Sequence, residues 1–383
     1  MGDKSELYYI SASHYPSREA NLVHVLSQVA ALSQAGQNVT LFISTAAGSN
    51  GKIKPDKLKD FGLELNSVKL RTLAYPFGRF RNISLGIYAF LHILFGSTGG
   101  IVSRNIFASY FLTLMGFHSI YECHSIEVGL RRKIQIYICE SPNVRVVCIS
   151  NGLKNELSLS LNLRKEFYVL PDAAFDRVST MDKVVLTTVH VDLRQLFSNP
   201  SQPLILYVGQ LYEGRGVEIV IGLSELMEDF NFLVIGGNER ELLLYSINNS
   251  NNLKFLGHEP HSKIPYILRT ADCLLMPYQK KVSVGYRGSD TARWMSPMKM
   301  FEFMSSGVPI IASNLPVLRE ILVHEGNCLL VQPDSVKAWQ KSVKRIVEDQ
   351  EFSKRLSANA RQDFLLKHTW NKRAVAIINL IRG

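Results

Sequence analysis

Short apolar runs and amphipathic stretches alternate from the first residues of the chain. Residues 7–12 (LYYISA) form the uninterrupted apolar run that is typical of a buried parallel strand. Apolar residues then recur at three- and four-residue spacing over 22–32, as on one face of a helix. Gly36 ends this helix, and 38–43 (NVTLFI) is the next apolar run. This order predicts a βαβ unit at the start of the chain.

The same alternation continues to the C-terminus. Further predicted strands are 67–73, 99–103, 118–123, 144–149, 167–170, 203–209, 230–236, 253–256, 273–276, 309–312 and 329–331. Predicted helices of the second half are 216–228, 260–270, 297–306, 315–323, 335–348 and 351–366. We therefore predict an α/β protein of two doubly wound, Rossmann-like domains that face each other across a cleft.

The strand–helix series restarts near 185–202, so the predicted domains are 1–198 and 199–365. A C-terminal helix at 366–383 either ends the second domain or crosses back to the first. A length of 383 residues and a hydrophobic content of 46% suit two cores. Ligands of doubly wound sheets bind beyond the carboxyl ends of the strands, where we expect the site.

Cysteine and charge content narrow the function classes. The five cysteines form no C-x-x-C pair, which argues against a zinc or dithiol site and favours reduced thiols in the cytoplasm. The net charge of +10 favours an anionic partner, namely phosphate, anionic lipid or nucleic acid.

An uncharged stretch over 82–103 contains the run ISLGIYAFLHILF. A membrane-spanning helix needs about 20 apolar residues, and this run supplies only half of that number. Two interpretations remain, a buried core helix or a helix that lies peripherally on the inner face of a membrane. Basic and aromatic residues of the same region favour an anionic surface: Lys52, Lys54, Lys57, Lys59, Arg71, Tyr75, Phe77, Arg79, Phe80 and Arg81.

The segment 296–313 (SPMKMFEFMSSGVPIIAS) carries the strongest chemical pattern. Ser296 suits a helix N-cap and Pro297 the first helical turn, whose N–H groups can bind phosphate. Lys299 and Glu302 are three residues apart and lie on one helix face. A cation near the helix start and a carboxylate further along suit a diphosphate and a ribose. The alternative is a surface helix whose Lys and Glu are solvated.

This segment resembles the signature K-x-x-E-x-M-x-x-G-x-P of the family 4 glycosyltransferases, which have the GT-B fold. The resemblance extends over most of the C-terminal half: 206–221 is similar to the family's strand–loop–helix, and 257–260 and 271–277 match later landmarks. In the first half, 121–125 (YECHS) resembles a strand that ends in E-x-H.

The resemblance implies a role for individual positions. Glu302 would hold the ribose hydroxyls, Arg215 and Lys299 would face the diphosphate, and His124 would lie near the donor sugar. A structural role for His124 remains the alternative. The predicted catalytic residues are His124, Arg215 and Lys299. The predicted donor-binding residues are Gly209, Gln210, Gly257, His258, Ser296, Pro297, Met298 and Glu302.

Three positions depart from the family's pattern. Gln210 replaces an arginine that the family often has, and Arg215 replaces the usual lysine while keeping its charge. Trp294 stands where the first Glu of E-x7-E would fall, so the donor-sugar contacts differ. Asp290 is a nearby carboxylate that could replace it.

Two loops leave alternatives open. Arg18 could meet phosphate and Glu19 acceptor hydroxyls, or Glu19 could only favour the following helix through its macrodipole. The loop 171–176 (PDAAFD) resembles the one that ends the family's first domain, and we expect Asp172 and Asp176 to stabilise a turn.

No D-x-D motif is present to supply the ligands of a manganese-dependent glycosyltransferase, so we expect no metal ion or other cofactor. The absence of a P-loop motif argues against a P-loop kinase, and the absence of G-x-S-x-G argues against a serine hydrolase. The resemblance implies retention of anomeric configuration, UDP-glucose as the first donor to test, and a glycan or lipid-linked glycan acceptor. Rival hypotheses are a nucleotide-sugar epimerase, a phosphorylase and a non-catalytic binding module; no nucleic-acid-binding motif supports a nucleic-acid partner.

Overall fold

The computed structural model describes residues 6–17, 20–46, 61, 63, 65, 68–75, 80–96, 99–162, 165–245, 247, 250–285 and 288–383. Two predicted loop residues, Arg18 and Glu19, lie outside these residues. So do several of the predicted basic and aromatic positions: Lys52, Lys54, Lys57, Lys59, Phe77 and Arg79. The chain divides into two compact units, Met1–Asp172 with Trp370–Gly383, and Ala173–Thr369.

The first unit contains a seven-stranded parallel sheet in the order β3-β2-β1-β4-β5-β6-β7. The strands are β1 (Leu7–Tyr15), β2 (Val39–Ala46), β3 (Val68–Tyr75), β4 (Gly100–Ser103), β5 (Ser119–Cys123), β6 (Val144–Cys148) and β7 (Tyr168–Val169). Its helices are α1 (Ala20–Gln34), α2 (Arg81–Leu94), α3 (Ile106–Leu114), α4 (Leu130–Glu140) and α5 (Asn151–Leu161). The order reverses between β1 and β4, which makes a topological switch point.

Strand β1 shows why both faces of this sheet must be covered. Tyr8, Tyr9 and Ile10 are all buried. Tyr8 and Ile10 share a core with α2 and α3, whereas Tyr9 points to the opposite face because side chains alternate along a strand. On that face α1 packs against the chain's last helix, α13 (Trp370–Arg382). The C-terminal helix is therefore part of the first unit.

The second unit contains a six-stranded parallel sheet in the order β10-β9-β8-β11-β12-β13. The strands are β8 (Leu204–Val208), β9 (Asn231–Ile235), β10 (Leu253–Leu256), β11 (Cys273–Met276), β12 (Ile310–Ser313) and β13 (Leu329–Val331). Its helices are α6 (Lys183–Arg194), α7 (Val217–Leu226), α8 (Glu239–Tyr245), α9 (Ile264–Leu268), α10 (Met298–Ser306), α11 (Val336–Glu348) and α12 (Gln350–Lys367). Successive β8 residues enter two separate cores, one on each face of the sheet.

Every predicted strand overlaps an observed strand, which confirms the doubly wound α/β prediction. The helix predicted at 315–323 is wrong, because the structure has only a short 3-10 turn, Leu318–Glu320. Its hydrogen bonds close tighter turns, such as Leu318 N–H to Leu315 O, and the Asn327 side chain accepts from Val323 N. The helix predicted at 260–270 is shortened to Ile264–Leu268.

The division between the units falls at Asp172 and Ala173, whereas the sequence placed it at 198. Helix α6 was not predicted from the sequence. Its start is capped by the Asp182 carboxylate, which accepts from Val184 N and Val185 N. Arg194 at its end binds Asp272, 2.8 Å away, just before β11. These contacts hold the predicted boundary region, 185–202, within the second unit.

Within the described part of the chain, no helix combines the length and the apolar content that crossing a bilayer requires.

The buried Trp339 of α11 provides a test of the second core. Its ring has no exposed surface, and its indole N–H donates to Gln332 O over 3.0 Å. We expect Trp339→Ala to lower the free energy of unfolding by about 3–5 kcal/mol in urea titrations followed by circular dichroism. The exposed Lys337→Ala on the same helix should change it by less than about 0.5 kcal/mol. Equal effects would contradict this packing.

Candidate functional site

The predicted donor-binding positions of the second unit collect at the carboxyl ends of neighbouring strands. Gly209 follows β8, Gly236 follows β9 and Gly257 follows β10. The loops are tied together, because Gly209 N donates to Ile235 O and Gly236 N donates to Gly257 O. This is the edge of a doubly wound sheet at which ligands bind.

Arg215 is placed by the glycine that follows it. Gly216 has a φ of +83° and begins α7 in the left-handed region. A Cβ atom on Gly216 would lie 1.8 Å from Pro277 O, so only glycine fits between this loop and β11. The Arg215 Nε–H donates to Ser283 O over 3.1 Å, which fixes the guanidinium beside the loop after β11.

Tyr278 joins the two predicted phosphate-binding cations. Arg215 Nη1 donates to the Tyr278 hydroxyl over 3.2 Å, and the guanidinium carbon lies 5.3 Å from the ring centre. Lys299 Nζ lies 4.4 Å from the same ring centre and 4.7 Å from that of Tyr207. Contacts of a cation with a ring face at these distances are favourable. The structure thus brings Arg215 and Lys299 together, as predicted.

The charge of this pair is not neutralised by an ion pair. Among the residues that the structure describes, none forms an ion pair with Arg215 or Lys299. Burial, and then the like charge of Arg215, lower the pKa of Lys299 well below its ordinary value, although Glu302 opposes this change. A bound anion would relieve the repulsion, so the arrangement suits a phosphate ligand.

Glu302 lies one turn along α10 from Lys299, and His261 contacts it. His261 Nε2 lies 2.7 Å from Glu302 Oε1, and both side chains are partly exposed. The sequence analysis did not single out His261, Tyr207 or Tyr278. Only the four-residue spacing from Gly257 to His261, in a loop already predicted to touch the donor, could have drawn attention to His261.

The start of α10 differs by one residue from the prediction. Pro297, with a φ of −75° and a ψ of 118°, is the N-cap, and Met298 is the first helical residue. The Pro297 side chain makes no capping hydrogen bond, and Pro297 rather than Ser296 is the N-cap, so the expected N-cap role of Ser296 is wrong. First-turn N–H groups are the donors that an anion at a helix start requires.

The remaining second-unit positions lie in the same loops. Gln210 presents its backbone oxygen to the Tyr207 hydroxyl over 2.7 Å, and His258 directly follows Gly257. Asp290 Oδ1 accepts from Val282 N and Ala292 N at 3.0 and 2.9 Å. This carboxylate oxygen therefore stabilises its own loop, which weakens the proposal that Asp290 replaces a donor-sugar contact at Trp294.

His124 lies in the first unit, directly after β5. Its ring contacts the His24 ring edge-on, with centres 5.0 Å apart, and its Nε2 lies 3.8 Å from Glu122 Oε1. Burial, followed by the positive charge of Arg104, lowers the pKa of His124 to about 3. His124 is thus a neutral imidazole at physiological pH, able to donate or accept a hydrogen bond.

Glu122 is buried and ionised. Burial works most strongly against its charge, but Arg373, His124 and His24 together hold the pKa of Glu122 well below its ordinary value. His24, Glu122 and His124 present ligand-type atoms within 4.8 Å of one another. Arg373 Nη2 already donates to the shared Glu122 oxygen, so a guanidinium supplies the positive charge there. These residues therefore do not fit a metal site.

The two aspartates of the loop after β7 have different surroundings. Asp176 Oδ1 accepts from Val178 N over 3.2 Å and pairs with Arg361, which agrees with the predicted turn role. Asp172 Oδ1 instead lies 2.9 Å from His24 Nδ1. This contact joins Asp172 to the polar cluster around Glu122.

Known proteins share this architecture. Sucrose-phosphate synthase from Thermosynechococcus elongatus superposes with a TM-score of 0.74 at 17% identity, over 99% of this chain and 98% of that chain. The Anabaena protein HepE, solved in complex with UDP-glucose, gives a TM-score of 0.70 at 13% identity, over 99% and 98% of the two chains. These similarities define the class by its fold, GT-B.

Sequence comparison supports the same class. Residues 191–363 match the family model described as glycosyl transferases group 1. An uncharacterised glycosyltransferase of Methanocaldococcus jannaschii is 25% identical over 298 residues, which cover 75% of this chain and 66% of that protein. Together with the GT-B fold, these matches support a family 4-like glycosyltransferase, as the sequence resemblance implied.

The unpaired charge of Lys299 predicts an unusual stability effect. Folding lowers the lysine pKa, so the unfolded chain binds more protons and the charge costs stability at neutral pH. We expect Lys299→Met to unfold at the same or higher urea concentration at pH 7. The stability of the wild type relative to the variant should increase as pH rises towards the ordinary lysine pKa of about 10.4.

The exposed Lys341→Met is the matched control and should show no such pH-dependent difference. A marked loss of stability in Lys299→Met at pH 7 would show that the two ring contacts outweigh burial and repulsion.

Proposed function

We propose that this glycosyltransferase transfers a hexosyl unit from a nucleotide diphosphate sugar to a hydroxyl group, with retention of configuration and without a metal ion. The main support is the Arg215–Tyr278–Lys299 arrangement. It places two cations together at the carboxyl edge of the sheet, with Glu302 one helical turn away. Two positive charges near a helix start suit a diphosphate, and a carboxylate suits ribose hydroxyls.

In the proposed reaction, the bond between the anomeric carbon and the departing phosphate oxygen breaks. The acceptor oxygen forms its new bond to that carbon on the same face of the sugar. The acceptor proton passes to an oxygen of the departing diphosphate, so the products are a glycoside and a nucleoside diphosphate. Arg215 and Lys299 stabilise the charge that develops on the leaving group, which replaces the usual contribution of a divalent cation.

UDP is the proposed nucleotide, and glucose is the first sugar to test. Support comes from the structural likeness to a protein that was solved with UDP-glucose. The loop at Gly257 and His258 lies beside the β10 end and is the proposed contact for the base. The acceptor is proposed to be a growing glycan, free or linked to a lipid, in polysaccharide biosynthesis. His124 is proposed to face the donor sugar.

The cations provide the decisive test. The donor is first chosen as the UDP, GDP or ADP sugar that raises the melting temperature most. We expect Arg215→Gln and Lys299→Met each to lower kcat by about 10²–10³-fold, as loss of a donor that stabilises a developing anion does. Release of nucleoside diphosphate with acceptor present is the measurement.

Lys341→Met serves as the control for a lost surface charge and should keep wild-type kcat. Normal turnover by both site variants would contradict the leaving-group role. Incubation of the wild type with the donor alone tests the rival activities. An epimerised sugar would indicate an epimerase, and turnover that requires inorganic phosphate would indicate a phosphorylase.

A membrane surface is the proposed location of a lipid-linked acceptor. On α2, the exposed apolar residues Ile87, Leu91, Leu94 and Phe95 repeat at helical spacing and form one stripe. Helices α2, α3 and α4 pack in series, and α4 exposes the basic sequence 131–133 (RRK). An apolar stripe near basic residues suits an anionic lipid interface.

We expect the double variant Leu91→Ser/Phe95→Ser to lose most of its flotation with vesicles that contain anionic lipid. Flotation of the wild type should weaken at high salt, because screening reduces the attraction of the basic residues. The matched control is Leu159→Ser, which removes an exposed leucine from α5. Absence of wild-type binding to such vesicles would remove the membrane from the proposal.

A further inference from the structure

A buried polar cluster lies around Glu122 on the α1 and α13 side of the first sheet. It draws side chains from within β1, from the chain at or after the ends of β4, β5 and β7, and from two helices, and most of these side chains are buried. We call it the Glu122 cluster. Its charged and titratable members are Tyr9, His24, Arg104, Glu122, His124, Asp172 and Arg373.

Both oxygens of the Glu122 carboxylate are occupied. The Tyr9 hydroxyl donates to Oε2 over 2.7 Å. Arg373 Nη2 donates to Oε1, and His24 Nε2 lies 3.2 Å from the same oxygen. A buried carboxylate needs this number of partners to remain ionised.

Arg373 connects this carboxylate to three other parts of the unit. Its Nη1 donates to Gln28 Oε1 on α1, and its Nε donates to Pro171 O over 2.9 Å. The guanidinium lies 5.7 Å from the ring centre of Trp370 on its own helix. The C-terminal helix therefore contributes a cation to the centre of the cluster, which is more than helix packing alone requires.

His24 is held between two carboxylates. Its Nδ1 lies 2.9 Å from Asp172 Oδ1 while its Nε2 faces Glu122, and the Trp370 ring packs edge-on against it at 4.9 Å. Both ring nitrogens of His24 therefore lie near a carboxylate oxygen. The His124 ring rests edge-on against His24, so its orientation depends on a side chain that the cluster fixes.

We propose that Arg373 and Glu122 are positioning residues, through which the C-terminal helix fixes His24 and thereby the neutral imidazole of His124 for catalysis. This inference rests on the proposed function, in which His124 faces the donor sugar. His24 and Asp172 complete the same support. None of these four residues needs to contact the substrate, because each acts through His124.

A simpler explanation is that Arg373 only anchors α13. The chain offers a matched control for it, because Arg145 on β6 also anchors that helix. Arg145 Nη1 donates to Leu380 O near the other end of α13, and Arg145 does not contact the Glu122 cluster. Removal of either arginine loosens the same helix, but only Arg373 touches Glu122.

The experiment compares Arg373→Met, Arg373→Lys and Arg145→Met at saturating donor over pH 4–8. We expect both Arg373 variants to lower kcat by about tenfold to a hundredfold, as small misplacements of a reacting group do, with KM for the donor unchanged. The Arg373→Lys variant keeps the positive charge but loses the planar guanidinium, whose N–H groups donate in fixed directions. Arg145→Met should lower the melting temperature while keeping wild-type kcat.

The pH profile separates positioning from anchoring. Loss of the Arg373 charge leaves Glu122 and Asp172 less compensated, which favours protonation of the His124 imidazole. The pH at which kcat falls on acidification should therefore be higher in Arg373→Met than in the wild type. It should be unchanged in Arg373→Lys and Arg145→Met. The groups that face His124 in this titration are Tyr9, His24, Arg104, Glu122, Asp172 and Arg373.

Two outcomes would overturn the proposal. One is wild-type kcat and pH dependence in the Arg373 variants, and the other is an equal loss of kcat in Arg145→Met. Should Arg373→Met not fold, the comparison of Arg373→Lys with Arg145→Met still decides, because only the former changes the cluster.

Ring C–H signals followed by NMR in the ligand-free protein test the cluster without any substrate. Assignment uses His124→Gln. We expect the His124 ring to stay neutral above pH 5 in the wild type and to titrate at higher pH in Arg373→Met. Unchanged titration in this variant counts against the proposal. Absence of wild-type transfer with every donor would instead contradict the proposed function.

Discussion

The candidate site of the second unit depends on two like charges that contact the same aromatic ring. Arg215 donates to the Tyr278 hydroxyl and Lys299 lies near the centre of the same ring, and no described residue forms an ion pair with either cation. Such a pair is unfavourable by itself, so other features must fix it: the hydrogen bond to Ser283 O, the two ring faces and the close approach that Gly216 permits. The unfavourable charge is what an anionic ligand would compensate.

The first unit buries charge in the opposite manner. There Arg373 contacts a carboxylate, an amide oxygen and a backbone oxygen, so its positive charge is fully compensated. The pair of Arg373 and Glu122 is buried, so a rearrangement would separate charges that now compensate each other. Among the described residues, the second unit therefore has two cations without an ion-pair partner, which suits binding. The first unit has a compensated Arg373–Glu122 pair, which suits the support of one neutral imidazole, His124.

The predictable part of the structure follows from local pattern. Short apolar runs predict the strands, and the spacing of Lys299 and Glu302 places these two residues on one face of a helix. The N-cap was misplaced at Ser296 because an apolar pattern does not distinguish two neighbouring cap residues. Helix α6 was missed because a surface helix has only a weak apolar pattern. Tyr278 and His261 were missed because their contacts depend on how separate loops meet at the sheet edge. Trp294 remains a departure from the family's pattern, because Asp290, the replacement suggested by the sequence, bonds to the backbone of its own loop.

Arg373 was beyond prediction for a different reason. Arg373 contacts Glu122, which is 251 residues away in sequence, and Gln28, which is 345 residues away. The second unit lies between these residues in sequence. Contacts of such high sequence separation require the closure of a very long loop, which costs conformational entropy and leaves no local pattern in the sequence. The cation that compensates Glu122 comes from α13, which follows the second unit in sequence but packs within the first. Without α13 the buried carboxylate would lack its compensating charge, so the environment of His124 depends on this helix.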